Sequence, residues 1–66
     1  MKVKTKQLRI FMCEKIMNPS ELSEAAGLSK TAVAAVLKRG TCSLKTIGRI
    51  AKVLDVHPSE LVDFDL

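Results

Sequence analysis

The chain has no tryptophan and no tyrosine, and Phe11 and Phe64 are its only aromatic residues. A core built from it must therefore be aliphatic. Single-stranded nucleic acid is also a poor ligand, because proteins that hold it stack successive bases on aromatic side chains. Cysteine and histidine are nearly absent: Cys13, Cys42 and His57 make up the inventory. Three such residues, none in a paired spacing, cannot form a tetrahedral zinc site, and no other metal or cofactor motif occurs. No apolar run approaches the ~20 residues needed to cross a bilayer. The opening Met1-Lys2-Val3-Lys4 has no apolar stretch of the kind that directs export. Both cysteines are expected to be reduced, small apolar side chains in a cytoplasmic protein. Catalysis finds no footing: Ser29 and Cys42 lack a His–acid pair, and no glycine-rich loop follows a strand. We expect neither an enzyme nor a binder of small molecules.

What remains is short and asymmetrically charged. Sixty-six residues make one domain, 1–66. A chain of this size buries only roughly 60% of its unfolded surface, so it depends on well-packed helices. The net charge is +4. Residues 1–15 carry Lys2, Lys4, Lys6, Arg9 and Lys15 against Glu14 alone, whereas residues 55–66 carry Asp55, Glu60, Asp63 and Asp65 with no cation. Such a split suits one surface facing a polyanion and another facing away.

Strand signals are weak, and cap chemistry divides the chain into five short helices. The first is predicted from Thr5 to Met17, with Leu8, Phe11, Met12 and Ile16 on its inner face. Asn18-Pro19 with Glu21 starts the second, about 19–26. Gly27 stops it in a left-handed conformation. Ser29 caps the third, about 30–38, which turns Val33, Val36 and Leu37 inward and ends at Gly40. Ser43 caps the fourth, Leu44 to Leu54, with Leu44, Ile47, Ile50, Ala51 and Leu54 inward. Gly48 in mid-helix implies another helix crossing closely, since it otherwise costs about 1 kcal/mol relative to alanine. Asp55 suits a left-handed helix end, and His57-Pro58 opens the fifth helix with a capping role for His57.

Residues 19–38 carry the functional signal. Leu22 and Ala26 point inward from the second helix, Gly27 makes the turn, Leu28 plugs the corner, and Val33 and Val36 lay the third helix across the second. A short helix, a tight glycine turn and a second helix form the helix-turn-helix pattern, which presents the second helix to the DNA major groove.

The segments NPSELSEAAGLSKTAVAAVLKRG and SLKTIGRIAKVLDVHPSELV resemble the lambda-repressor-like, or XRE, helix-turn-helix family over nearly the whole chain. The resemblance implies an all-α, compact five-helix domain that binds double-stranded DNA. It departs from the family pattern in three places. Ser23 stands where alanine is common, Met12 and Leu37 occupy the places of an arginine–glutamate pair, and Gly40 falls one residue late. An apolar Met12–Leu37 contact in place of that pair would be no handicap in an interior.

By the same resemblance, Ser29, Lys30, Thr31, Ala34 and Ala35 meet bases, with Lys38 one turn further along the face. Lysine reaches guanine O6 or N7, threonine bonds several base edges, and alanine packs on a thymine methyl. Ser20 at the start of the second helix, and Lys38, Arg39, Thr41, Ser43 and Lys45 on the other side, are the candidate phosphate contacts. Leu61, Val62, Phe64 and Leu66 form a tail too short to bury all four against its own domain, and are expected to join two copies. The implied function is a phage- or mobile-element-like transcriptional repressor on a palindromic operator. An antitoxin of the same fold, or a protein-interaction module without DNA binding, are the alternatives.

Overall fold

A computed structural model describes residues 2–63. The order is β1 (Lys2–Val3), α1 (Thr5–Glu14), α2 (Pro19–Ala26), α3 (Lys30–Arg39), α4 (Leu44–Leu54), a single 3₁₀ turn (Pro58–Glu60) and β2 (Val62–Asp63). The domain is a helix-turn-helix of the all-α class, and its helix boundaries follow local chemistry. Asn18 Oδ1 accepts from the Glu21 N–H at 2.8 Å while Glu21 Oε1 accepts from the Asn18 N–H at 3.0 Å, a complete capping box. Ser29 Oγ accepts from the Ala32 N–H at 3.0 Å, and Ser43 Oγ from the Thr46 N–H at 3.2 Å. Asp55, with φ 56°, ends α4 in the left-handed region.

The fifth helix is not an α-helix. His57 caps only one 3₁₀ turn, with Nδ1 accepting from the Ser59 N–H at 3.1 Å. The chain then leaves as β2, which pairs antiparallel with β1 in the register Lys2↔Asp63 and Val3↔Val62. Val3 and Val62 are β-branched and pack well on a pleated surface. Their pairing joins opposite ends of the chain, so no local pattern announces it.

α1 stops short of Met17. Asn18 precedes a proline and takes an extended conformation (ψ 170°), so the helix cannot run into it. Ile16 instead adopts φ 53°, and the Met17 N–H closes back on the Met12 carbonyl at 2.9 Å. The left-handed residue breaks the helical phase, and Ile16, expected inward, is 87% exposed. Leu44, also expected inward, is 69% exposed. It occupies the first helical position, where the Cα–Cβ bond tilts past the helix end and away from the core. Nor does any helix cross at Gly48: a Cβ there would meet nothing within 4 Å.

The core unites Leu8 and Met12 of α1, Leu22 of α2, Val33 and Val36 of α3, and Ile47, Ile50, Ala51 and Leu54 of α4. Val3, Leu61 and Val62 close it from below. Leu61 (0% exposed) and Val62 (2%) are thus spent inside their own domain and have no surface for a partner. This corrects the expectation that they join two copies. The other two proposed interface residues, Phe64 and Leu66, lie outside the described residues. Among the described residues no helix is long and apolar enough to cross a membrane.

Candidate nucleic-acid interface

The turn between α2 and α3 is held from three sides. Gly27 takes φ 68°, a conformation that costs a side-chain-bearing residue roughly 1–2 kcal/mol. The Leu28 N–H donates to the Ser23 carbonyl at 2.8 Å. Ser23 itself is buried, and its hydroxyl donates to the Ser20 carbonyl at 2.6 Å, so no polar atom is stranded under the motif. From α4, Arg49 Nη1 donates to the Ala26 carbonyl at 3.4 Å, meeting a group that the helix end leaves without an intrahelical partner. Arg49 is a positioning residue that the sequence pattern gave no cause to single out.

With Val33 and Val36 buried, the opposite face of α3 is fixed outward. Ser29, Lys30, Thr31 and Ala34 are exposed and Ala35 is half-buried at its margin. This face contains no carboxylate. The Ser29 hydroxyl accepts in the cap but retains its own hydrogen to donate. The Lys30 and Thr31 N–H groups lie in the first turn, where an α-helix provides no internal partner, and they point out of its positive end.

The flanks are unequal. At the start of α2, Pro19 has no N–H and the Glu21 N–H is committed to Asn18, which leaves the Ser20 N–H as the donor there. On the other side Lys38, Arg39, Thr41, Ser43 and Lys45 are all exposed. Ser43 is the weakest of these as a donor, because its hydroxyl hydrogen goes to Thr46 Oγ1 at 3.0 Å. The free hydroxyl hydrogen on this turn therefore belongs to Thr46, whose N–H and hydroxyl oxygen both engage the Ser43 cap.

The residues from 7 to 65 match the model of the Cro/C1-type HTH DNA-binding domain. The chain belongs to this family. Two solved structures resemble it closely in backbone. One is the N-terminal DNA-binding domain of SinR from Bacillus subtilis, with a TM-score of 0.77 and 24% identity over 83% of each chain. The other is the restriction-modification controller protein C.AhdI from Aeromonas hydrophila, with a TM-score of 0.76 and 28% identity over 85% of this chain and 86% of that one. No curated protein matches in sequence.

This Cro/C1-type domain carries its departures from the family without strain. Ser23 satisfies its hydroxyl within α2. Met12 is buried and Leu37 half-buried, and both line an apolar groove of about 540 Å³ that also includes Cys13 and Met17. Gly40 accommodates the late exit of α3 with φ 71°. Cys13 is exposed and Cys42 half-buried, both as free thiols.

Proposed function

We propose that this Cro/C1-type domain is a cytoplasmic transcriptional regulator, of the phage or mobile-element repressor kind, that binds a palindromic operator as a homodimer. The observation that carries the reading is the outward face of α3: Lys30, Thr31 and Ala34 exposed, no carboxylate, and exposed cations at its exit. α3 would lie in the major groove, which admits an α-helix. Lys30 would bond guanine, Ser29 and Thr31 would bond neighbouring base edges, and Ala34 and Ala35 would pack on thymine methyls. Ser20 on one side, and Lys38, Arg39, Thr41, Ser43 and Lys45 on the other, would hold phosphates and set the register. The solved relative described as a controller protein supports a regulatory role. In a homodimer the two copies of α3 would stand about 34 Å apart, one turn of DNA. With Leu61 and Val62 buried, the proposed contact rests on Phe64 and Leu66, the remaining apolar residues of the C-terminal set, which lie outside the described residues.

The groove beside Ile16 favours a second activity, the capture of a partner protein as an antitoxin would. It adds to DNA binding without replacing it. Binding-site selection on duplex DNA, with wild type and Lys30→Ala, tests the main reading. Selection should return a two-fold symmetric sequence with guanine opposite Lys30, and the variant should relax preference at that position by roughly 1–3 kcal/mol. Recovery of no common sequence by the wild type would overturn it.

A further inference from the structure

The sequence places Lys2 far from the helix-turn-helix, and nothing in the motif involves it. The fold brings it there. β1 runs between two neighbours, pairing with β2 on one edge and forming an isolated bridge, Lys2↔Thr41, on the other. The Val3 N–H donates to the carbonyl of Gly40, the residue that ends α3, at 2.7 Å. Lys2, Lys38 and Arg39 thus line one concavity of about 490 Å³, together with Thr5 and Thr41, and no carboxylate lines it.

Three cations in one depression repel one another, and two of them have a local explanation. Lys38 and Arg39 sit in the last turn of α3, where the negative end of the helix dipole favours positive charge. Lys2 is on no helix and reaches the site only through strand pairing. Among the described residues, its register partner across β2 is a carboxylate, Asp63, but Asp63 Oδ1 is paired with Lys4 Nζ at 3.6 Å. Among the described residues Lys2, Lys38 and Arg39 have no ion-pair partner. Three cations without an ion-pair partner among the described residues, beside Thr5 and Thr41 at the exit of α3, suit a phosphate.

We propose that Lys2 contacts the DNA backbone, completing with Lys38 and Arg39 a three-cation phosphate site that β1 assembles at the end of α3. This rests on the DNA-binding reading above and extends it to a residue outside the motif. The contact is with backbone only. Lys2 adds affinity for any duplex and no base preference, and the β1 pairing sets which phosphate it reaches.

The test is a salt titration of binding to operator and to an unrelated duplex, by fluorescence anisotropy, for wild type, Lys2→Gln, Lys2→Arg, Lys38→Gln and Lys52→Gln. Each phosphate contact contributes about 0.9 to the slope of log K against log salt. Lys2→Gln should flatten the slope by roughly that amount on both duplexes, as should Lys38→Gln. Lys2→Arg should restore it, and Lys52→Gln, on the last turn of α4 outside the concavity, should leave it unchanged. Thermal melts check that Lys2→Gln stays folded, and the arginine variant separates loss of charge from loss of strand. A wild-type slope in Lys2→Gln beside a flattened one in Lys38→Gln would overturn the proposal and leave the DNA reading standing. Failure of the wild type to bind any duplex would overturn both.

Discussion

Arg49 Nη1 lies 3.4 Å from the carbonyl oxygen of Ala26, so a side chain of α4 closes the end of α2 one residue before the turn that aims α3. A Cβ on Gly27 would stand 3.1 Å from that same Nη1. Gly27→Ala should therefore destabilise the domain by about 1–2 kcal/mol, chiefly through the left-handed backbone, since the guanidinium tip can swing aside. Arg49→Met should cost less, about 0.5 kcal/mol, because the bond is long and partly exposed. Urea unfolding of both variants checks the order. A Gly27→Ala protein as stable as wild type would show that the turn is not held as described.

Ala34→Glu should abolish operator binding and leave the melting temperature within about 4 °C, since surface substitutions usually change stability by no more than ~0.5 kcal/mol. Ala35→Glu should also abolish binding but melt lower, because Ala35 is half-buried. Anisotropy titrations beside thermal melts distinguish the two. Normal operator binding by Ala34→Glu would remove α3 from the groove.

Two substitutions should stabilise. Ile16 is β-branched, left-handed and 87% exposed, so Ile16→Gly relieves a conformation costing about 1 kcal/mol without removing a packed side chain. Gly48→Ala introduces a methyl group into open space on α4, for a gain of about 1 kcal/mol in helix propensity. The sites share no contact given by the structure, and the double variant should show the sum. A loss of stability at Gly48→Ala would mean that something does approach α4 there.

The thiols should differ in reactivity. Burial pushes the Cys42 thiol above its ordinary pKa, whereas Cys13 is exposed. Iodoacetamide at pH 8 should label Cys13 well before Cys42, as mapped by mass spectrometry. The folded state holds the Cys42 proton more tightly than the unfolded chain does. That support for folding is complete below the ordinary thiol pKa and is lost as pH rises through the raised folded value. Equal labelling of both cysteines would contradict the burial of Cys42.

The parts legible in the sequence were those decided within four or five residues. Asn18 with Glu21, Ser29, Ser43, Gly27, Gly40 and Asp55 each act on their own backbone, and each sits where its chemistry placed it. The illegible parts depend on distant partners. The apolar spacing of Phe11, Met12 and Ile16 continues past the point where Pro19 forces the chain to turn, so Ile16 looked like core. Leu61 and Val62 looked idle because their partners, Val3 and Lys4, come from the opposite end of the chain. The outward face of α3 followed from Val33 and Val36 being inward, but Arg49, Thr46 and Lys2 join the site only through packing, capping and strand pairing. No short-range pattern marks Arg49 or Lys2, whereas Thr46 lies three residues from the cap that engages it.

The pairing of Lys2 with Asp63 makes the domain a closed ring of roughly sixty residues, whose closure entropy grows as (3/2)RT ln n. The helices need no such closure, because their turns and α2–α3 contacts are local and form early. The strip is thus the part of the fold expected to open first, at the cost of uncovering Val3, Leu61 and Val62, and the Val3 and Lys4 amides should exchange with solvent before those of the helical core. Such opening would carry Lys2 away from the end of α3. An anion held in the concavity needs the strip closed to keep Lys2 in place, so its binding should slow that exchange.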